Sequence, residues 1–138
     1  MKEYCLGFAF DGRYQQVLLI QKNKPEWQAG KINGIGGKIE KGETPKESMI
    51  REFKEESGIT TNAGQWNSIL EMRGEDWVVY VFSSFTNQIF SFINTTDEKC
   101  GIHSINRLPL NVLANVNWLV PMCLDTSVNS KESIIKFW

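Results

Sequence analysis

The chain has 138 residues, of which 41% are hydrophobic and 22% charged, a composition ordinary for one soluble globular domain. Its formal net charge of -1 and pI near 5.9 argue against binding of nucleic-acid polymers through overall positive charge. Three widely spaced cysteines, Cys5, Cys100 and Cys123, suit neither a disulfide framework nor a zinc site. We therefore expect a single domain over residues 1–138 with reduced, packed cysteines.

The N-terminal segment, MKEYCLGFAF, mixes Lys2 with Glu3 and reaches Asp11 after a short apolar run, so it lacks the layout of a signal peptide. No apolar run in the sequence approaches the roughly 20 residues that a membrane-spanning helix needs. We expect a cytoplasmic protein with no membrane partner.

The first third of the chain predicts a β-hairpin and a third strand. Residues 4–10 and 16–22 are rich in apolar, aromatic and β-branched residues, and the turn-forming residues 11–14 separate them. A polar loop over residues 23–30 follows. Residues 31–40 are expected to form a strand interrupted by glycines.

The next segment, PKESMIREFKEESG, is typical of a helix with defined ends. Thr44 is placed to cap the free amide groups, Pro45 suits the first helical position, and Glu47 completes a capping box. Gly58 supplies a left-handed stop. We expect a helix that begins after Thr44 and ends at Gly58.

Three carboxylates share one side of this predicted helix. Glu52, Glu55 and Glu56 project within an arc of about 100°, beside a stripe of apolar residues. Like charges at this spacing repel, and Arg51 and Lys54 offset the repulsion only in part. Oxygen ligands without cysteine or histidine suit Mg²⁺ or Mn²⁺. The alternative is an ordinary solvated, charged helix face.

A glycine run before the helix favours the metal site over the solvated face. Gly34, Gly36 and Gly37 allow backbone groups to approach an ion or a phosphate closely. A Walker-type phosphate loop does not fit, because Ile32 stands where a glycine is needed and Ile39 where serine or threonine would ligate magnesium. A strand, a glycine loop and a carboxylate helix are the layout that a metal–pyrophosphate site needs.

The second half of the chain predicts an antiparallel strand pair followed by less regular elements. Residues 65–72 and 77–82 flank a turn at 73–76, and the continuous apolar run of the second strand predicts cover on both faces. The remaining elements are a polar loop at 94–99, a short strand at 101–105, a second helix at 111–124 interrupted by Pro121, and an edge strand at 133–138. A mixed sheet with a helix on each face, in the α/β class, accounts for this order.

The stretch from Gly37 to Ile59, GKIEKGETPKESMIREFKEESGI, resembles the signature of the Nudix hydrolases. That signature is a glycine, five residues, a glutamate, seven residues, and then Arg-Glu-apolar-x-Glu-Glu-x-Gly-apolar, and every fixed position is filled. The box covers about a sixth of the chain. The resemblance implies a Nudix-type α/β/α sandwich with a central mixed sheet and a metal-dependent hydrolase.

The resemblance also implies roles for individual residues. Glu55 and Glu56 match metal ligands of the family, and the carbonyl of Gly36 matches a further ligand. Glu52 matches a residue that is a metal ligand or the base that activates water. Glu98, in a predicted loop, resembles an extra acidic residue that serves as ligand or base, the alternative being an ordinary exposed glutamate.

Two further residues of the box are expected to act mainly through structure. Arg51 is a catalytic candidate, as are Glu52 and Glu98. It is expected to hold the glycine loop or Glu52 in place and to contact phosphate. Glu43 is expected to be structural. The single histidine, His103, is expected to have no catalytic role.

Recognition of a base needs aromatic faces and amide groups. The candidates for contact with substrate are Trp27, Asn33, Lys38, Trp77, Asn115 and Trp118. For each tryptophan, packing in the core is the alternative. The segment KINGIGGK resembles the oxidised-purine triphosphate hydrolases of the family, in which the asparagine that matches Asn33 contacts the base. Those enzymes carry an acidic pair shortly before the second helix, whereas this chain offers Asn115 and Val116.

Three functions are open at this point. The leading hypothesis is an Mg²⁺-dependent pyrophosphohydrolase that cleaves a nucleoside triphosphate, a purine or modified purine, to monophosphate and pyrophosphate. The second is a hydrolase of ADP-ribose or a dinucleoside polyphosphate; in the ADP-ribose group a proline usually follows the box closely, and here none occurs between Pro45 and Pro109. The third is a non-catalytic nucleotide-sensing module, although such modules commonly lose box glutamates that this chain retains.

Overall fold

The computed structural model of the chain describes residues 1–128 and 133–137. The described residues form one mixed sheet of eight strands and two α-helices. The strands are β1 (Lys2–Phe10), β2 (Gln16–Gln21), β3 (Ile32–Asn33), β4 (Ile35–Lys38), β5 (Asn67–Arg73), β6 (Trp77–Phe85), β7 (Cys100–Ser104) and β8 (Ile134–Lys136), and the helices are α1 (Pro45–Ser57) and α2 (Val116–Leu124).

The sheet forks along β1. One side of β1 pairs in parallel with β6 over its whole length, from Lys2 beside Trp77 to Phe10 beside Phe85. On the other side β1 pairs antiparallel with β4 in its first half and with β2 near its end. The main path is β3-β2-β1-β6-β5-β8, with β4 added to β1 and β7 added to β2. The fork leaves an opening in the sheet between β2 and β4.

The predicted strand over residues 31–40 is in fact two strands with different partners. β3 pairs with β2, whereas β4 pairs with β1. Gly34 lies between them, where a Cβ atom would stand 2.7 Å from the carbonyl oxygen of Gly7 and 2.9 Å from the ring of Phe8. Because only a residue without a side chain fits this corner, the chain can change strand partner there.

Each face of the sheet carries its own hydrophobic core and its own helix. Met49 and Phe53 of α1 pack on one face, where the ring of Phe53 meets that of Trp66 edge to face at 5.0 Å. Val116 and Leu119 of α2 pack on the other face. Fully burying a side chain of this size stabilises the fold by about 1.5 to 3 kcal/mol. The expected arrangement of a mixed sheet between two helices is confirmed.

The second helix starts later than predicted. It spans Val116–Leu124 rather than residues 111–124, and it runs through Pro121 without interruption. The amide of Ile32 donates to the carbonyl oxygen of Asn111 at 3.0 Å, and the carbonyl of Ile32 accepts from the amide of Leu113 at 2.9 Å. Residues 111–113 are therefore held extended beside β3, which overrides their helical pattern.

The other predicted elements are confirmed with small shifts. β1 and β2 are antiparallel neighbours, as are β5 and β6, and β7 begins one residue earlier than expected. β8 lies at an edge of the sheet, and Trp138 of the predicted edge strand lies outside the described residues. All three cysteines are buried and free. Among the described residues, no helix is long and apolar enough to cross a membrane.

Candidate metal and nucleotide site

The helix that carries the carboxylates is fixed at both ends by its own sequence. The hydroxyl of Thr44 accepts from the amide of Glu47 at 3.1 Å, and the carboxylate of Glu47 accepts from the amide of Thr44 at 2.9 Å. Gly58 ends the helix with φ of 75°, in the left-handed region. The predicted capping box and glycine stop are confirmed, and they set the direction in which α1 presents its glutamates.

Arg51 joins the glutamates of α1 to the loop before it. Its Nε and Nη2 donate to the two carboxylate oxygens of Glu43 at 2.6 and 3.0 Å. Its Nη1 donates to Glu52 at 2.7 Å and to Glu55 at 3.3 Å, while Nη2 also reaches the carbonyl oxygen of Lys38 at 3.2 Å. Because guanidinium is planar and offers five donors, one arginine holds all four groups together.

The bidentate pair makes Glu43 a source of pH-dependent stability. The hydrogen bond from Arg51 holds the pKa of Glu43 below its usual value of 4.5. A lowered folded-state pKa contributes stability above the unfolded pKa, and this contribution is lost as pH falls through the folded value. We expect Glu43→Gln to lower the free energy of unfolding by about 1 to 2 kcal/mol at pH 7. In urea titrations, the difference from wild type should shrink towards pH 3; a difference independent of pH would contradict this prediction.

Glu52 is held between Arg51 and the glycine run. A Cβ atom on Gly37 would lie 2.6 Å from the carboxyl carbon of Glu52, so this glycine makes room for the carboxylate. Burial raises the pKa of Glu52 above its usual value, and the hydrogen bond and charge of Arg51 oppose the rise. Glu52 is therefore a carboxylate with an increased proton affinity, at the fork of the sheet.

Glu56 is buried, although its position on the helix predicts an exposed, polar residue. Only 9% of its surface is accessible, and its Oε2 atom has no hydrogen-bond partner among the described residues. Burial raises the pKa of Glu56 to about 8; the charge of Lys22 opposes this rise, and the charges of Glu52 and Glu98 add to it. An unpaired buried carboxylate oxygen is costly, so a group that binds it would stabilise the protein.

Glu98 is also buried, which rules out the interpretation as an ordinary exposed glutamate. Its carboxylate accepts from Lys22 Nζ at 3.0 Å, from the amide of Asn23 at 2.6 Å and from the amide of Lys24 at 3.2 Å. Burial raises its pKa, but the hydrogen bonds from Asn23 and Lys22 outweigh burial and hold the pKa below its usual value. Glu98 thus anchors its loop to the end of β2.

The carboxylates suit a hard divalent ion in chemistry, although they are not gathered around one point. In the described part of the chain, no three His, Cys, Asp or Glu side chains form a ready group for a metal ion. Glu52 and Glu55 accept hydrogen bonds from Arg51, and Glu98 accepts one from Lys22. The unpartnered oxygen of Glu56 and the more than half exposed Glu55 leave oxygen donors of the kind that Mg²⁺ and Mn²⁺ prefer. The donor set therefore fits the expected metal.

A cavity of about 770 Å³ lies on the α2 face of the sheet, and one of its lining residues, Gly37, packs against the carboxylate of Glu52. Gly36, Gly37 and Lys22 line it where it approaches Glu52 and Glu56. Ligand pockets for small molecules are commonly about 300 to 1,000 Å³. The cavity has the size of a nucleotide site. Its polar part, at Lys22, Gly36 and Gly37, lies near Glu52 and Glu56.

The predicted substrate contacts divide between two ends of this cavity. Trp27, Asn33, Lys38, Trp77 and Asn115 line it, whereas Trp118 is not among the described lining residues and packs against the core beneath α2. Asn33 pairs with Ile20 of β2 and directly precedes Gly34, which stands against Gly7 of β1, while Trp77 lies beside Lys2. About five residues of strand separate these levels, or about 16 Å. Asn33 and Trp77 are therefore not neighbours.

The end of the cavity near Asn33 is rich in amide groups. The carbonyl oxygen of the Asn33 side chain accepts from the amide of Gly34 at 2.8 Å, and its Nδ2 donates to Gln28 at 3.4 Å. Asn115, directly before α2, has a buried Oδ1 without a partner among the described residues. An unpaired amide oxygen in a cavity wall is an acceptor available to a ligand donor.

Sequence reasoning missed many of the residues that line this cavity. Lys22, Gln28 and Phe137 line the cavity, yet none belongs to the Nudix box. Lys22 directly follows β2, whose middle is a buried apolar run, and a charged residue at such a position was the available signal. For Phe137 the sequence held no signal, because its contact with Trp77 joins residues sixty positions apart.

Comparisons with known proteins agree with the fold and the box. The model of the NUDIX domain matches residues 5–120. The uncharacterized Nudix hydrolase YvcI of Bacillus subtilis is 31% identical over 100 residues, which are 66% of this chain and 60% of that protein. The 8-oxo-dGTP diphosphatase of Escherichia coli is 40% identical over 45 residues, which are 33% of this chain and 35% of that protein. The chain thus spans less than two thirds of the length of these curated relatives.

A solved structure shows the same fold at low identity. The crystal structure of a NUDIX-family hydrolase from Clostridium perfringens superposes with a TM-score of 0.70 and 21% identity, covering 90% of this chain and 96% of that one. Since the family model covers most of the chain, the chain belongs to the Nudix hydrolase family.

Proposed function

We propose that the chain is a divalent-metal-dependent pyrophosphohydrolase that cleaves a nucleoside triphosphate to a monophosphate and pyrophosphate. The observation that carries this proposal is the position of Gly37, which lines the 770 Å³ cavity and packs against the carboxylate of Glu52 on α1. A reaction centre with acidic ligands and a cavity that receives an organic group are the two parts that such a substrate requires.

Glu55 and Glu56, with the Gly36 carbonyl, are the residues proposed to hold Mg²⁺ or Mn²⁺, and Glu52 and Glu98 are further candidates. When bound, the ion neutralises phosphate charge and lowers the pKa of water. The chain's own cations complement it: Lys22 and Lys38 line the cavity with Gly36 and Gly37, and they are the residues proposed to bind phosphate oxygens. Glu52, with its raised pKa, is the residue proposed to take a proton from the attacking water.

A purine or modified purine is the proposed base. The activity of the Escherichia coli relative, an 8-oxo-dGTP diphosphatase, supports this substrate class. The amide end of the cavity offers both donors and acceptors for a base edge, from Asn33, Gln28 and Asn115. Both considerations favour a base that is recognised by hydrogen bonds along its edge.

The direct test is an assay of pyrophosphate and phosphate release with a panel of nucleotides, with and without Mg²⁺. The panel includes canonical and 8-oxo-purine triphosphates, ADP-ribose and a dinucleoside polyphosphate. We expect the fastest turnover with a purine triphosphate, and none with EDTA present. Faster turnover of ADP-ribose than of every triphosphate would replace the proposed substrate. Nucleotide binding without any hydrolysis would make the chain a sensing module.

The proposed base contact predicts the effect of removing Asn33. Asn33→Ala is expected to raise KM by about tenfold for the preferred purine and to flatten the preference among bases, because a buried amide contact is lost. The dependence on Mg²⁺ should stay unchanged, since Asn33 is not among the proposed metal ligands. Steady-state kinetics on the same panel measure both effects, and an unchanged base profile would remove Asn33 from the base site.

A further inference from the structure

The loop between β2 and β3 is closed by backbone hydrogen bonds. The amide of Lys22 donates to the carbonyl oxygen of Lys31 at 2.7 Å, and the amide of Gly30 donates to the carbonyl oxygen of Lys22 at 2.8 Å. Within the loop, the amide of Gln28 donates to the carbonyl oxygen of Pro25 at 2.9 Å, and the carbonyl of Gln28 accepts from the amide of Lys31 at 2.8 Å. These bonds hold the backbone of Gln28 beside the cavity, which Gln28 lines.

The side-chain amide of Asn33, on β3 directly after this loop, is held at both of its polar atoms. Its Oδ1 accepts from the amide of Gly34 at 2.8 Å, and its Nδ2 donates to Oε1 of Gln28 at 3.4 Å. Asn33 is only 9% exposed, whereas Gln28 is half-buried. The bond to Gly34 determines which end of the amide carries the oxygen, and the bond to Gln28 fixes the direction of the other end.

This arrangement leaves Asn33 with one hydrogen for a ligand. The Nδ2 group carries two hydrogens, and Gln28 is its one acceptor among the described residues. A polar group contributes most to affinity and selectivity when its neighbours hold it in the binding geometry before the ligand arrives. Gln28 is the residue that provides this support from outside β3.

We propose that Gln28 is a positioning residue for base recognition, which acts through Asn33 by directing the free N–H of Nδ2 at an acceptor atom of the base. This inference rests on the proposed function, since it assumes a base at the amide end of the cavity, and it deepens that function by giving Gln28 a role. Positioning requires only the acceptor oxygen Oε1 of Gln28. Direct contact with an acceptor atom of the base would instead require its Nε2 donors, so substitutions separate the two roles.

The experiment measures equilibrium binding by calorimetry, without turnover. The nucleotide is whichever of guanosine and adenosine 5′-monophosphate binds wild type more tightly, and ribose 5-phosphate, which has no base, is the reference. The ratio of their two dissociation constants reports the contribution of the base, because both ligands contain the ribose and the phosphate. The ratio is therefore compared between wild type and each variant.

Gln28→Met keeps the length of the side chain and removes the amide oxygen. It is expected to lower the ratio by about 2- to 10-fold, which corresponds to the net value of one hydrogen bond. Gln28→Glu keeps an acceptor oxygen for Asn33 but has no Nε2 donors, so its ratio should stay within about twofold of wild type. The added charge acts on both ligands and cancels in the ratio.

Action through Asn33 is tested by combining Gln28→Met with Asn33→Ala. Once Asn33 is alanine, Gln28→Met should cause no further loss, because the effects of two residues in one hydrogen-bond network are not additive. Glu26→Met is the matched control, since Glu26 is an exposed residue of the same short helical turn and is not among the described residues lining the cavity. Its ratio should equal that of wild type.

Three results would overturn the inference. The first is an unchanged ratio for Gln28→Met. The second is an equal loss for Gln28→Met and Gln28→Glu, which would make Gln28 a direct base contact through Nε2. The third is a pair of losses that add in the double variant with Asn33→Ala.

The same measurements separate this inference from the proposed function. If the ratio depends on Gln28 and Asn33 as expected but wild type hydrolyses no triphosphate, the positioning role stands and the proposed reaction fails. If triphosphates are hydrolysed and Gln28→Met leaves the ratio unchanged, the inference alone fails. Wild-type protein that binds neither nucleotide more tightly than ribose 5-phosphate would also overturn the inference.

Discussion

Glu56→Gln is expected to lower turnover by at least about a hundredfold while making the metal-free protein more stable at alkaline pH. A lost metal ligand weakens charge stabilisation worth several kcal/mol, and each 1.36 kcal/mol corresponds to about tenfold in rate. Glutamine keeps the shape of the side chain and removes the charge. Turnover falls and stability rises because the buried carboxylate is needed for the proposed reaction but destabilises the folded protein.

The sign of the stability effect follows from the pKa. Burial raises the pKa of Glu56 from its usual 4.5 to about 8, so the folded state binds a proton more tightly than the unfolded state. Wild-type stability is therefore lost as pH rises from about 4.5, and the loss is complete above about pH 8. Glutamine does not titrate, so the advantage of the variant grows over the same window. A gain of a few kcal/mol corresponds to a rise in Tm of about 5 to 10 °C.

The measurement is thermal unfolding with EDTA at pH 5 and pH 8.5, beside turnover at saturating Mg²⁺. Glu55→Gln is the matched control: Glu55 is mostly exposed, so this variant should lose turnover as Glu56→Gln does but gain no comparable stability. Wild-type turnover by both variants would remove the metal-ligand assignment. A stability difference for Glu56→Gln that is the same at both pH values would show that Glu56 is not held as a buried, charged group.

Local sequence was sufficient to predict the parts of the site that depend on neighbouring residues. The ends of α1 follow from Thr44, Glu47 and Gly58, whose hydrogen bonds and backbone angle involve residues only a few positions apart. The spacing of Glu52 and Glu55 likewise fixes their common side of the helix. Because such contacts do not depend on the rest of the fold, the amino-acid sequence alone is enough to identify the box.

Contacts between distant segments were not predictable in the same way. Glu56 is buried within reach of the charges of Lys22, at the end of β2, and of Glu98, which lies 42 positions further along the chain. Residues 111–113 have a helical pattern, yet Ile32 holds them extended through two backbone hydrogen bonds. Asn33 and Trp77 are both candidates for contact with substrate, and the strand register places them about 16 Å apart. Each of these features is set by strand pairing, which composition and periodicity do not specify.

The choice of general base is the second large prediction, and it concerns Glu52 and Glu98. A base needs an oxygen free to take a proton and a pKa near the working pH. Burial raises the pKa of Glu52, whereas the hydrogen bonds of Glu98 overcome burial and lower its pKa. Glu98 also accepts from three donors, namely Lys22 and the amides of Asn23 and Lys24. Glu52 is therefore the better proton acceptor, and Glu98 the better anchor.

We expect Glu52→Gln to lower kcat by about 10²- to 10⁴-fold, the usual contribution of a general base. Glu98→Gln should lower kcat much less but reduce stability by about 1 to 3 kcal/mol, because it leaves the largely buried ammonium of Lys22 without its charged partner. Single-turnover rates, Mg²⁺ affinity and urea unfolding of both variants separate the base, ligand and anchor roles. A far larger rate loss for Glu98→Gln than for Glu52→Gln, with Mg²⁺ affinity unchanged in both, would reverse the assignment and make the loop residue the base.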